Sequence, residues 1–207
     1  MPEYELIYFT AAGRAEPIRL ILHYGGIPFK DTRLDSTEWQ NWKADSKKIP
    51  FGMIPVLHID GKPLCESHTI TRYVAKIAGI DGGPDPIEAA HIDQVYEMCR
   101  AFYDATVKYF LSCLGFTQDE KEKLFDDVFS PNVQRHFSHI RSQLRPSGFF
   151  GDKLTYADLY WSLVITFYNK YHPEIIQKYP EFLEQARKVD ALPQLQDYLK
   201  SRPETKF

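Results

Sequence analysis

No run in this 207-residue chain approaches the roughly 18 apolar residues that a membrane-spanning helix needs. Cysteine is scarce: Cys65, Cys99 and Cys113 are an odd number without a Cys-x-x-Cys pair. That argues against a disulfide framework and a zinc site and fits a reducing compartment. Basic clusters are missing too. With 25 Lys and Arg against 28 Asp and Glu the net charge is −3, which makes nucleic acid and anionic membranes poor partners. Met1-Pro-Glu-Tyr-Glu runs straight into a strand pattern, so no signal peptide is expected and the expected location is cytoplasmic. Internal repeats and low-complexity segments are absent. What is present is ordinary for a globular protein, 43% hydrophobic and 26% charged, with length for one large domain or two small ones.

The richest stretch is Pro50–Tyr73. Pro55 precedes the apolar run Val56-Leu57-His58-Ile59, Asp60-Gly61 turns it, and Lys62–Cys65 returns. Asp-Gly between such runs is a strong hairpin signal. A proline belongs at the strand's first residue because it cannot donate to a ladder, and here it is a candidate for the cis isomer. That isomer turns the Ile54 backbone outward, toward a bound peptide. Ser67 is then expected to cap a helix with Ile70, Val74 and Ile77 on one face, stopped by Gly79. Its N-terminus suits a carboxylate.

Ahead of this stretch, Tyr4–Phe9 reads as a strand with Tyr4, Leu6 and Tyr8 on one face. A helix follows Thr10–Gly13, with Pro17 in its first turn, a buried face of Ile18, Ile21 and Leu22, and Gly25-Gly26 at its end. Phe29–Leu34 is a second strand. Ser36 is expected to cap a helical piece holding Trp39 and Lys43. The order by Gly79 is βαβαββα, a thioredoxin-like half with a mixed sheet.

Ile80–Pro86 is the clearest break in the chain. The expected organisation is therefore a first domain over 1–79, a linker over 80–86 and an all-helical domain over 87–207, an α/β unit plus an all-α unit. Helices are predicted over Ile87–Leu114, over Thr117–Leu144 with a bend at Ser130-Pro131, and in two short pieces near Pro180–Val189 and Pro193–Ser201. Thr155-Tyr-Ala-Asp158 has the form of a capping box with Leu154 and Leu159 as its staple. It opens a strongly apolar helix carrying Leu159, Leu163, Val164 and Phe167. His136 and His139 lie three apart without a third ligand, so no metal is expected. The aromatic stripe Tyr96, Phe102, Tyr103, Tyr109 and Phe110 reads mostly as core, and Cys65 as a small buried strand residue.

Five segments, spread in order over the whole chain, resemble the cytosolic glutathione transferases, most closely the sigma class with its nematode-like members. They are Tyr4–Arg19 (YELIYFTAAGRAEPIR), Pro50–Leu57 (PFGMIPVL), Glu66–Tyr73 (ESHTITRY), Gly151–Asp158 (GDKLTYAD) and Ser201–Phe207 (SRPETKF). The resemblance implies a homodimer that uses reduced glutathione as co-substrate, with no other cofactor. It implies a first domain that binds glutathione and a helical domain that supplies part of a hydrophobic pocket. By position it makes Tyr8 the catalytic residue. Tyr8, Arg14, Trp39, Lys43, Met53, Ile54, Pro55, Glu66 and Ser67 become the glutathione-binding set. Phe9, Gly13, Tyr103 and Phe207 become pocket residues.

The chemistry is coherent. A thiol has a reference pKa of roughly 8.5 and its thiolate is the nucleophile, so catalysis at neutral pH needs a group that stabilises sulfur as an anion. A tyrosine hydroxyl that keeps its proton can donate to it. The plainer reading of Tyr8 is one of 13 tyrosines packing in a strand. Arg14 reads either as support for Tyr8 or as a surface ion pair. Trp39 and Lys43, four apart on one helix face, read as a clamp for the glycyl carboxylate or as an ordinary half-buried pair. Three departures from the resembled pattern stand out. Glu66 replaces the sigma-class glutamine, Met53 replaces a polar residue, and the aspartate that crosses the dimer falls near Ala101, with Asp104 one turn on.

Conjugation of glutathione to hydrophobic electrophiles, in detoxification, is the activity this implies, with peroxidase or prostaglandin isomerase as side activities. The aromatic residue of such isomerases is replaced near Lys108, which weighs against the last. The alternative is a non-catalytic carrier or crystallin-like protein on the same fold. The joint presence of Tyr8, Arg14, Trp39 and Lys43 argues for the enzyme. A thioredoxin-type redox protein fails for want of a cysteine near Tyr8.

Overall fold

A computed structural model describes residues 2–205. The chain forms two compact units, one from the residues up to Ile80 together with those from Leu192 onward, the other from Asp81–Ala191.

The first unit is built on a four-stranded sheet in the order β2-β1-β3-β4. Strand β1 (Tyr4–Phe9) pairs parallel with β2 (Lys30–Leu34) and antiparallel with β3 (Val56–Ile59), and β4 (Lys62–Leu64) closes the hairpin. The hairpin bend has φ 49° at Asp60 and 76° at Gly61, the two left-handed residues that match the twist of the flanking strands. The Asp60 carboxylate also accepts from the Glu3 N–H at 2.9 Å, tying the turn to the start of β1. Pro63 sits on β4, an edge strand, where its missing N–H costs the ladder nothing.

Helices α1 (Glu16–Tyr24) and α3 (Ser67–Ile77) pack on each other, burying Ile18, Ile21, Leu22, Ile70 and Val74. Ile77, expected in that face, is 41% exposed, because the buried stripe turns through Ala75 instead. A separate small core joins Ile7, Leu34, Ile49 and Val56, with Trp39, Trp42, Ile54 and Cys65 half-buried against it. Helix α2 (Trp39–Ala44) is not capped by Ser36. Its N-cap position is Glu38, which has no side-chain cap, and Asp35 instead fixes the turn ahead of the helix, its Oδ1 accepting from the Thr37 and Glu38 amides at 2.8 and 3.0 Å. Ser36 lies inside that turn, two residues ahead of the cap position.

The second unit is organised by α4 (Pro86–Cys113), capped by Asp85, whose Oδ1 accepts from Ile87 N–H at 3.0 Å. Ile92, Tyr96, Cys99, Phe102, Thr106 and Tyr109 bury its inner stripe at three- and four-residue spacing. After α5 (Lys121–Leu124) the chain widens into a π-turn, Phe125–Phe129, before α6 (Ser130–Arg141). The predicted bend is thus a π-turn just ahead of Pro131. The Ser130 N–H reaches back five residues to Phe125, as a proline that cannot donate leaves the local ladder free to loosen.

Helix α7 (Tyr156–Tyr171) runs through the middle of this unit. Its capping box forms as the sequence indicates: Asp158 accepts from the Thr155 amide at 2.7 Å and hydroxyl at 2.6 Å. The same carboxylate accepts from Phe150 N–H and the Gln185 side chain, so a fully buried charge has four donors. Phe102 is ringed edge-on by Phe137, Trp161 and Tyr168, with centroids 5.0 to 5.7 Å away. Leu163 and Phe167, expected in the core, are only half-buried, and Trp161, Ile165 and Tyr168 fill it instead. A one-turn helix α8 (Pro173–Ile176) precedes α9 (Pro180–Asp190).

The segment from Leu192 departs from the expected division at residue 87. Its turn Pro193–Leu195 and helix α10 (Gln196–Ser201) join the first unit. Long-range polar bonds hold it there: the Tyr198 hydroxyl and Arg202 both donate to the buried Glu16 carboxylate at 2.9 Å. Tyr198 also stacks on His23, with centroids 4.1 Å apart.

Candidate functional site

The carboxyl end of β1 delivers Tyr8 and Phe9 to one edge of the first unit's sheet. Tyr8 is 8% exposed. Its hydroxyl oxygen accepts from the Arg14 N–H at 3.2 Å, across the short helical turn Gly13–Ala15. Gly13 opens that turn at φ 44°, a conformation that costs a glycine nothing. With the oxygen already accepting one N–H, the phenolic proton is left to point at something else. Burial pushes the Tyr8 phenol above its ordinary value, and the Arg14 amide and the charges of Arg14 and Arg19 pull against that rise. At neutral pH Tyr8 therefore keeps its proton and is a hydrogen-bond donor.

A row of contacts runs outward from Tyr8. Its ring lies 5.6 Å from Phe9, Phe9 lies edge-on to Trp39 at 5.4 Å, and the Lys43 ammonium stands 6.0 Å from the Trp39 ring. Lys43 also lies along Gly52, where a Cβ would meet its Cε at 3.5 Å. Phe51 and Met53, on either side of Gly52, are 63% and 58% exposed.

Ile54-Pro55 is a cis peptide, as the sequence suggests. The β1–β3 ladder begins at Val56, opposite Ile7, so Ile54 stands one proline beyond the paired backbone. Ile54, Cys65 and Trp39 all pack against the same small core, which brings the end of β4 and the start of α3 to the same edge. Cys65 is half-buried, and burial raises its thiol pKa.

At the start of α3 the serine is not the cap that its position suggests. The cap position is Glu66, and Ser67 is the first helical residue. Glu66 adopts φ 69° and ψ 111°, and its carbonyl accepts from Ile70 N–H at 2.9 Å. A non-glycine residue held there stores roughly 1–3 kcal/mol. Its side chain makes no capping bond, and the first amides of α3 lie where a helix N-terminus suits an anion. The Ser67 side chain is buried beside them.

The remaining sequence-derived positions fall elsewhere. Tyr103 is half-buried on α4, its ring 5.4 Å from Phe110 and 6.3 Å from Tyr160. Asp104 accepts from Arg100 at 2.8 Å, and Lys108 pairs with Asp119 at 3.1 Å. Phe207 lies outside the described residues. Behind Tyr8 the sequence reading missed Arg19, which is fully buried with its guanidinium carbon 5.9 Å from the Tyr8 ring centroid. The available signal was a Glu16/Arg19 pair, three apart, within the apolar stripe of α1.

The profile for the glutathione S-transferase N-terminal domain matches residues 4–76, and that for the C-terminal domain matches residues 94–202. Human hematopoietic prostaglandin D synthase is 31% identical over all of both chains. Among solved structures, monomeric Na-GST-3 from the hookworm Necator americanus is 36% identical with a TM-score of 0.91, covering 99% of this chain and 100% of that one. A Nu-class glutathione transferase from Haemonchus contortus is 35% identical with a TM-score of 0.88 over all of both chains. Two domain profiles in the right order and full-length relatives above 30% identity, on a sheet edge assembled as described, mean that this chain belongs to the glutathione S-transferase family and is an enzyme of it.

Proposed function

We propose that this enzyme binds reduced glutathione along the edge running from Tyr8 to Ser67 and joins its sulfur to small hydrophobic electrophiles. The observation that carries the reading is the state of Tyr8: buried, protonated, its oxygen held by the Arg14 amide and its proton free to meet a sulfur anion. In the reaction the thiol proton passes to solvent, the thiolate attacks the electrophilic carbon, a carbon–sulfur bond forms and the leaving group departs with its electron pair. Tyr8 acts by stabilising the thiolate, and each unit of thiol pKa depression is worth roughly 1.4 kcal/mol.

Around it, Arg14 supplies its amide and charge, while Trp39 and Lys43 take the glycyl carboxylate. The Ile54 backbone, set by Pro55, pairs with the cysteinyl unit of the peptide. Glu66 takes the peptide's α-ammonium, and Ser67 with the α3 amides takes its γ-glutamyl carboxylate. Met53 borders the peptide without a polar contact of its own. The electrophile lies over Phe9 and Gly13. No cofactor beyond glutathione is used.

Detoxification in the cytoplasm is the proposed setting and sigma the proposed class, with the Nu class of the Haemonchus relative as the alternative. The similarity to a prostaglandin D synthase favours an isomerase side activity, and the exposed, ion-paired Lys108 speaks against one. We propose a homodimer, supported by the exposure of Phe51 and Met53. The hookworm relative described as monomeric is the competing state, and sedimentation velocity distinguishes the two.

The test is turnover of glutathione with an activated aryl chloride, comparing wild type with Tyr8→Phe. A loss of roughly tenfold, about 1.4 kcal/mol in the transition state, is expected. Equal rates would move thiol activation to another group. Glutathione binding without turnover in either protein would favour the carrier.

A further inference from the structure

Two charged residues three apart on α1, Glu16 and Arg19, are buried to 3% and 0% exposure. Charges in that position need partners, and among the described residues these have them at every polar atom but the Arg19 Nη2, which is buried without one. Arg19 finds Asp31, its Nε donating to both carboxylate oxygens at 3.1 and 3.0 Å. Its Nη1 donates to the carbonyls of Ala11 at 2.8 Å and Ala12 at 3.3 Å, and to Glu16 at 3.3 Å. Glu16 in turn accepts from the Tyr198 hydroxyl with both oxygens and from Arg202. Asp31 is shared with Arg33 at 2.8 Å.

This cluster borders the reaction site through one residue. Arg19 faces the Tyr8 ring, and the carbonyls it grips belong to the loop that ends in the Arg14 amide, the donor to the Tyr8 oxygen. Only Gly13 separates the clamped Ala12 from that donor. The aim of the phenol is thus bounded by Arg19, Arg19 by Glu16, and Glu16 by two residues of the C-terminal segment.

We propose that Tyr198 and Arg202 are positioning residues for thiolate formation, acting through Glu16 and Arg19 on Tyr8. The proposal rests on the reading of Tyr8 as the group that stabilises the thiolate. Tyr198→Phe is the sharpest probe, since it deletes one donor and changes no charge. Arg202→Ala removes the second, and Arg202→Lys restores a cation at the same place.

The measurement is the pKa of the glutathione thiol bound to each variant, from the ultraviolet absorbance of the thiolate, alongside kcat and KM across pH. Tyr198→Phe is expected to raise that pKa by about half a unit to one unit, lowering kcat at neutral pH about three- to tenfold. The lost rate returns at alkaline pH, and KM for glutathione stays unchanged. Arg202→Ala behaves alike and Arg202→Lys largely recovers. In a Tyr8→Phe background neither substitution moves the pKa further.

A lower melting temperature with an unchanged thiol pKa would make the cluster a tail anchor and overturn the proposal. A shift that persists in the Tyr8→Phe background would overturn it as well, because the route would bypass Tyr8. If Tyr8→Phe alone leaves the thiol pKa where it was, the reading of Tyr8 fails and takes this proposal with it, and the single variant identifies that case.

Discussion

The Arg14 amide and the Tyr8 hydroxyl form a 3.2 Å hydrogen bond in which the phenol is the acceptor. The direction matters. An amide that donates to the phenolic oxygen fixes where that oxygen sits without using up its proton, and it strengthens the proton's next bond by polarising the hydroxyl.

A pH dependence follows for catalysis. Burial raises the Tyr8 pKa above its ordinary value of 10.0, so Tyr8 does not lose its proton anywhere in the neutral or mildly alkaline range. With glutathione saturating, the profile of kcat should rise along a single limb, set by the bound thiol, and then stay flat. A falling limb near neutral pH would mean that Tyr8 titrates there and that its environment is not the one described.

Lys43 supports a different outcome. It is exposed, lies beside Trp39 and Gly52, and in the proposed complex meets a carboxylate that is present in both ground and transition states. Lys43→Ala should therefore raise KM for glutathione about three- to tenfold while leaving kcat alone. The wild-type KM should rise with ionic strength and the variant's should not, since exposed charge pairs are screened by salt. A fall in kcat instead would give Lys43 a part in the chemistry.

For stability, Asp158 is the informative residue. Burial lifts its pKa from 3.8 to about 6, against the pull of its four hydrogen bonds. A carboxyl whose folded pKa is raised binds its proton more tightly folded than unfolded. Its contribution is complete below about pH 4 and disappears as pH rises through about 6, on the order of 3 kcal/mol. Asp158→Asn removes the titration and turns an amide toward two donors, at a cost of about 2–4 kcal/mol. The gap in melting temperature between wild type and variant should be widest near pH 4 and narrow by pH 7. A constant gap would mean that Asp158 is ionised throughout.

The parts of this structure that were legible in the sequence are those governed by short-range rules. The Asp60-Gly61 hairpin, the proline ahead of β3, the Thr155–Asp158 capping box and the long α4 each carry their cause within a few residues. Serine proved an unreliable guide to helix starts: Ser36 falls in a turn fixed by Asp35 and the helix begins only at Trp39, and at Ser67 the backbone turns one residue sooner, at Glu66. The positions of Tyr8, Trp39, Lys43 and Ile54 came from resemblance, since nothing in their spacing separates a binding edge from ordinary packing. Arg19 stayed hidden for another reason. Its partners Asp31, Ala11 and Glu16 are local, but the tail residues that complete Glu16 lie far along the chain, and no periodicity reports such a bond.

The return of the last segment to α1 also sets an order of assembly. Domains usually fold in sequence as a chain leaves the ribosome, the N-terminal one first. Here the unit that begins with Tyr4 lacks α10 until the whole of Asp81–Ala191 has been synthesised. The helical unit, though later in sequence, has all of its own residues available earlier. The half of the molecule that emerges first is therefore the last that can be finished, and until then Glu16 lacks the two donors that Tyr198 and Arg202 bring.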